Sequence, residues 1–241
     1  MCAQRNIRSY LSNNTKELVI MKTMKTEIIM PFEQAEEYYI SLDHFERKTA
    51  YEVIKRCLDI IFSFLALLIL IVPMCFVAIA IKCTSKGAVL YLQERLGKNG
   101  KTFKIIKFRS MVDDAEKNGV QWCDEEDPRV TRLGKYLRRY HIDELPQLWN
   151  ILVGDMSFVG PRPERACYYD LFEKYIHGFR ERLNVKPGLT GLAQVSGGSL
   201  MRPEEKIAYD IDYIKKRSVL LDFCVLFNTF ITVITGRYRS L

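Results

Sequence analysis

Two adjacent carboxylates, Asp143 and Glu144, open the stretch HIDELPQLWNILVGDMSFVGPRP at residues 141–163. Pro146 follows within one turn, and proline is tolerated in the first turn of a helix. The spacing therefore predicts a helix from near Asp143 to about Val153, with Leu148, Leu152 and Trp149 toward a core and Gly154 as its stop. Both acids then stand at a helix start, where free N–H groups favour anions. For Asp143 alone a plain N-cap is a competing reading. The turn Gly160-Pro161-Arg162-Pro163 adds a guanidinium on a stiff support close behind the acids. Carboxylates and a rigid arginine together suit a metal-bridged diphosphate.

The elements that position these groups lie in a chain of 241 residues, room for one sizeable domain plus appendages. A formal charge of +7 points to anionic partners: phosphorylated substrates, an acidic membrane surface or nucleic acid. Nucleic acid is the weakest of these, because zinc-finger spacing and RNA-recognition aromatic motifs are absent and the basic residues are dispersed. The seven cysteines have no paired spacing, which suggests reduced thiols facing a cytosol. Three histidines argue against a histidine-rich zinc site.

Residues 60–81, IIFSFLALLILIVPMCFVAIAI, form a 22-residue run without a charge. As a helix it would be about 33 Å long, enough to cross a bilayer. Pro73 interrupts it, deleting the backbone bond to Ile69. Basic residues flank both ends: Arg47, Lys48, Lys55 and Arg56 before, Lys82, Lys86 and Arg95 after. That symmetry favours both ends on the cytoplasmic side. A break at Pro73 would leave arms of about 20 and 12 Å, able to dip into one leaflet and return. A run of this length reads by default as a spanning helix, and the sequence permits the hairpin without compelling it.

Ahead of this run, residues 18–30 are mixed and residues 33–48 read as an exposed helix; no function is assigned there. Beyond it, AVLYLQERLG and KTFKIIKFRSM read as short strands around the turn Gly97-Lys98-Asn99-Gly100. Residues 112–118 read as a short helix, 124–128 as an acidic exposed loop, 132–140 as a basic helix and 171–183 as an amphipathic helix. Residues 187–191 read as a loop, and 204–216 as a helix following Pro203. Residues 219–235 are apolar on most sides but hold Asp222 and Asn228, which fits a helix in the membrane interface or one packed on the domain.

KRCLDIIFSF, QERLGKNGKTFKIIKFRSM, DPRVTRLGKYLRR, DELPQLWNILVGDMSFVGPRPE and KPGLTGLAQVSG together resemble the bacterial sugar transferases that load phosphosugars onto polyprenol phosphate, the monotopic phosphoglycosyl transferases. The resemblance covers about residues 51–240 and is to the short form of the family. It implies an α+β, mostly helical chain: an N-terminal extension (1–50), a membrane-embedded re-entrant helix-break-helix (51–86) and a compact cytoplasmic catalytic domain with amphipathic interfacial helices (87–241). Relatives often carry serine before the helix-breaking proline; Val72 stands there here, implying a less sharp break.

The activity implied is transfer of a sugar 1-phosphate from a UDP-sugar, of the UDP-glucose or UDP-galactose kind, to undecaprenyl phosphate, releasing UMP. This would start capsule, exopolysaccharide or other glycan assembly. By resemblance Asp143 is the nucleophile that carries the phosphosugar, Glu144 the ligand of Mg2+, Arg138 a catalytic arginine and Arg162 a diphosphate contact. A carboxylate is already ionised at neutral pH and needs no base. Lys107 and Arg109 are candidate phosphate or headgroup ligands. Lys55 and Arg56 are candidates at the hairpin mouth, with Asp210 pairing a basic residue there. Gly188, Thr190, Gly191 and Gln194 either cradle the nucleotide or form a packing loop. His141 is a local variation and not a general base. The expected location is the bacterial inner membrane, with the catalytic domain on the cytoplasmic leaflet and a homodimer left open. A non-catalytic membrane adaptor of a glycan-assembly complex is the competing function, disfavoured by the intact acid pair.

Overall fold

The computed structural model describes residues 38–42, 45–117, 127–197 and 201–235. Expectations for residues 18–30, and for Cys2 and Cys123, lie outside these. One helix dominates: α1, Thr49–Thr84, is 36 residues long, or about 54 Å. It is helical across Pro73, and no separate non-helical segment divides two arms. It is long and apolar enough to cross a membrane by length and composition.

α1 carries two faces of different fate. Asp59, Ser63 and Ile81 are buried, and Ala66, Leu67, Leu70, Met74, Val77 and Ala78 pack against core clusters on the same stripe. These residues recur at three- and four-residue spacing, one side of a helix. The other side bears Ile61, Leu65, Leu68, Ile69, Val72, Phe76 and Ile79, all exposed. The stripe runs along the domain both before and after Pro73, so the two ends of α1 rest on one body.

After α1, β2 (Leu90–Leu96) and β3 (Thr102–Phe108) pair antiparallel, as the alternation predicts, around a turn in which Asn99 is left-handed. The first strand of the described chain, β1, is Tyr38–Tyr39. Residues 112–117 form turns and a bridge from Met111 to Val130 where a helix is expected. Of the expected acidic loop, residues 124–126 lie outside the described residues, and Asp127 is buried against Arg129. α2 (Arg132–Arg139) is the expected basic helix, capped by the Thr131 hydroxyl, which accepts from Gly134 N at 2.9 Å. A Cβ at Gly134 would meet the Ser110 carbonyl at 1.9 Å, so glycine lets α2 lie on β3's exit.

α3 (Gln147–Val153) and β4 (Ser157–Val159) follow. Then α4 (Ala166–Phe172), β5 (Ile176–His177) and a 3-10 segment, Phe179–Asn184, replace the single helix predicted over 171–183. Gly178 explains the break. It is left-handed (φ 91), and a Cβ there would meet the Ile40 carbonyl at 2.0 Å. That close approach is the parallel pairing of β1 with β5, and it leaves residues 38–42 and 45–48 without the predicted helix. β6 (Gly188–Thr190) pairs parallel with β4, Ser157 opposite Gly188 and Val159 opposite Thr190, where a loop is expected. α5 (Leu192–Gly197), α6 (Pro203–Lys216) and α7 (Val219–Thr235) complete the chain; Pro203 heads α6 as predicted. The main core gathers Val159, Phe172, Ile176, Phe179, Ile207, Ile214 and Val225 from β4 to α7.

Candidate active site

The acids occupy a short 3-10 turn, Ile142–Glu144, one step ahead of α3. The predicted single helix is thus divided, with Leu145 and Pro146 keeping right-handed helical angles between the two parts. His141 makes the corner. It is left-handed (φ 54), a conformation a non-glycine residue holds at a cost, and it redirects the chain from α2 into the turn. Leu148 and Ile151 anchor α3 in the core, while Trp149 is exposed on the outside, opposite to expectation. Gly154 (φ 100) ends α3 as predicted.

Asp143 and Glu144 are 7% and 8% exposed. Glu144 Oε1 accepts from Lys107 Nζ at 2.8 Å and Arg162 Nη2 at 2.7 Å, while Oε2 bonds neither cation. Burial would raise the Glu144 pKa, but Arg162 and Lys107 outweigh it and hold the carboxyl well below its ordinary value. Asp143 moves the other way. Burial and then the Glu144 charge push it up, against Lys107, Arg138 and His141. Among the described residues no hydrogen bond or ion pair engages the Asp143 carboxylate. One carboxylate is therefore locked as an anion, and its neighbour is left open.

Three strands of support converge on this pair. β3 delivers Lys107. α2 delivers Arg138, whose Nε donates to Ser110 Oγ at 2.8 Å. β4 leads into Arg162 and is itself held from α1: Asp59 Oδ1 accepts from Ser157 Oγ and Phe158 N, each at 3.1 Å. The turn after Gly160 is gripped twice more. Arg182 Nη2 donates to the Arg162 carbonyl at 3.0 Å, and Arg95 Nη1 to the Pro163 carbonyl at 3.0 Å. Arg182 is paired at 2.6 Å with Asp210, both deeply buried.

The structure thus brings Asp143, Glu144, Lys107, Arg138 and Arg162 together. The other sequence candidates sit elsewhere. Arg109 donates to Ser85 O at 3.0 Å and Ser85 Oγ at 2.8 Å, fastening the end of α1 to β3. Arg56 donates to the Ile151 and Leu152 carbonyls at 2.7 and 2.8 Å, capping the end of α3. Lys55 pairs with Asp222 at 2.6 Å, within a network in which Tyr51 and Tyr213 also donate to Asp222. Asp210 is thereby excluded from the α1 end, which Asp222 serves instead. Gly188 and Gly191 abut Gly160: a Cβ on Gly188 would meet Gly160 N at 2.1 Å, and one on Gly191 the Gly160 carbonyl at 2.3 Å. Thr190 bonds Thr229 at 2.7 Å, and Gln194 Nε2 donates to Leu189 O at 3.1 Å. This segment packs behind the Arg162 turn. Sequence reasoning missed Asp59, Arg95 and Arg182 as supports, because charged residues distant in sequence announce no partner.

Magnesium needs one or two carboxylates, with substrate phosphates completing its octahedron. Among the described residues no group of three or more His, Cys, Asp and Glu is placed to hold a metal. Glu144, ionised and with Oε2 outside both ion pairs, fits an ion that arrives with a diphosphate.

The model of the bacterial sugar transferase family matches residues 50–236. A UDP-N-acetylgalactosamine-undecaprenyl-phosphate N-acetylgalactosaminephosphotransferase of Aeromonas hydrophila is 42% identical over 189 residues, covering 77% of this chain and 45% of the relative. A UDP-glucose:undecaprenyl-phosphate glucose-1-phosphate transferase of Escherichia coli is 40% identical over 182 residues, 73% of this chain and 39% of the relative. The chain thus spans less than half the length of these two. An exopolysaccharide production protein, PSS, of Rhizobium leguminosarum is 42% identical over 192 residues, 76% of this chain and 96% of the relative. The matched span holds the acid pair, both of its cations and the strands behind them, and the chain belongs to the bacterial sugar transferase family.

Proposed function

We propose that the protein transfers a sugar 1-phosphate from a UDP-sugar to undecaprenyl phosphate, releasing UMP, by way of a phosphosugar carried on Asp143. The observation that supports this best is the division of labour between adjacent carboxylates: Glu144 fixed by Lys107 and Arg162, Asp143 buried beside them with its oxygens open. In the first half-reaction an Asp143 oxygen attacks the sugar-bearing phosphorus, and the bond to UMP breaks with its electron pair leaving on UMP. In the second, an oxygen of undecaprenyl phosphate attacks the same phosphorus and Asp143 departs as a carboxylate. No side chain need accept a proton in the first step. Arg162, Lys107 and Arg138 orient the diphosphate and balance its charge, the main demand of phosphoryl transfer. Glu144 would hold Mg2+, which supplies charge neutralisation at the diphosphate when bound.

The donor is read at the level of the relatives' names, which include UDP-glucose and UDP-N-acetylgalactosamine. The acceptor is a lipid, so the site belongs at a bilayer surface. The packed stripe of α1, continuous on one body from Asp59 to Ile81, supports a helix held to the domain on one side with its exposed side toward lipid; a return to the same leaflet rests on the family resemblance and on the basic residues at both ends. The cytoplasmic leaflet is the side on which nucleotide sugars are met.

The test is UMP release by the purified full chain with magnesium, undecaprenyl phosphate and a panel of UDP-sugars. Wild-type protein is expected to release UMP with at least one donor, and Asp143→Asn with none. Absence of release across the panel, with glycan-assembly proteins still retained, would favour the adaptor reading.

A further inference from the structure

Glu144 is held by two cations that come from different parts of the chain, Lys107 on β3 and Arg162 on the turn after β4. Arg95, on β2, connects them. Its Nη1 donates to the Pro163 carbonyl at 3.0 Å and to Glu164 Oε2 at 3.2 Å, and its Nε to Gln93 Oε1 at 2.8 Å. The next residue, Leu96, fixes the same turn through its backbone, its N donating to the Glu164 carbonyl at 3.1 Å. β2 and β3 are paired throughout, with Tyr91 opposite Lys107. Tyr91 and Arg95 share one face of β2, so Arg95 and Lys107 project from the same face of the ribbon. A closed circuit results. It runs from Glu144 to Lys107, through the ribbon to Arg95, on to the Arg162 turn, and from Arg162 back to Glu144.

Glu164 supplies a second argument. Glu144 is the stronger influence on the Arg162 guanidinium, but the Glu164 charge acts on it too. Arg95 engages Glu164, with both side chains only 16% exposed. Arg162 is then left to Glu144 and to an incoming diphosphate.

We propose that Arg95 is a positioning residue for donor binding: by clamping the Pro163 carbonyl and engaging Glu164, it sets the Arg162 guanidinium in step with Lys107 across Glu144. The inference rests on the transferase reading above. A guanidinium suits the place, because its planar fork serves Gln93, Glu164 and the Pro163 carbonyl at once, which the single ammonium of a lysine does not.

The test is steady-state UMP release by the full chain in detergent, with magnesium, undecaprenyl phosphate and the UDP-sugar that the wild type uses, in a double-mutant cycle with Arg162. Arg95→Met is expected to raise the donor KM about 10-fold, the worth of one charge-assisted hydrogen bond, with the acceptor KM unchanged. In an Arg162→Met background the same change is expected to move the donor KM less than about twofold, because Arg95 acts through Arg162. Arg95→Lys, which keeps a charge beside Glu164, is expected to fold like wild type and to fall between wild type and Arg95→Met; should Arg95→Met not fold, the cycle is read with Arg95→Lys. Variants that lower kcat with the donor KM within about twofold of wild type would overturn the assignment, since a merely structural role removes active protein and leaves KM alone. So would an equal rise in donor KM with and without the Arg162 guanidinium. Wild-type protein that releases no UMP with any donor would instead sink the transferase reading, and this inference with it.

Discussion

At the scale of single residues, the site turns on two neighbours pushed in opposite directions. Burial and the Glu144 charge raise Asp143, so its ionised form is a burden on the fold. A raised carboxylate contributes stability that is present below its unfolded pKa and lost as pH rises through the folded one. Asp143→Asn should therefore abolish transfer and raise the melting temperature at neutral pH, measured by thermal unfolding alongside UMP release. The same shift predicts that transfer falls as pH drops through a value above the ordinary aspartate range, because the proposed mechanism attacks through the anion; a profile flat down to pH 4 would speak against it. Glu144 has the reverse sign: its stabilisation is present above the unfolded value and lost only well below it. Glu144→Gln strands Lys107 and Arg162 and should cost about 1–3 kcal/mol in chemical unfolding, moderated by solvent around Arg162. Both acids and Arg162 are legible from DELPQ and GPRP alone. The left-handed corner at His141 is not, since local sequence does not announce a strained non-glycine residue.

At the scale of elements, the Arg162 turn is held by charge from outside its own segment. Arg182 bonds its carbonyl and is neutralised by Asp210, whose pKa burial pushes up to about 6 against the opposing pull of Arg182. Arg182→Met leaves that carboxylate buried and unpaired, a loss of about 3–5 kcal/mol. Protonating Asp210 removes the charge, so the destabilisation should be smaller at pH 5 than at pH 8 in paired urea titrations. The β2–β3 ribbon, α2, α6 and α7 are legible from alternation, capping residues and Pro203. The break at Gly178 and the β4–β6 pairing are not. Each depends on a distant strand, and a two- or three-residue strand has too little period of its own to be seen.

At the scale of the whole molecule, α1 is both anchor and scaffold. Its inner stripe holds β4 through Asp59 and caps α3 through Arg56, while its outer side is a continuous apolar face. Its length and apolarity are plain in the sequence; the stripe is not, because apolar residues occupy both faces and only packing separates them. Cys57, Cys75 and Cys83 are free and exposed near the start, middle and end of α1. In membranes, a helix returning to its own side should let an impermeant thiol reagent label Cys57 and Cys83 from the cytoplasmic face, with Cys75 shielded by lipid. Labelling of the two end cysteines from opposite faces would require a spanning helix instead.

The most direct measurement is peptide mass spectrometry of the full chain after incubation with magnesium and a UDP-sugar, the acceptor withheld. A phosphosugar mass on the peptide containing Asp143, discharged when undecaprenyl phosphate is added, is the predicted result. Steady UMP release with acceptor present, but no adduct on that peptide at any time, would contradict the account.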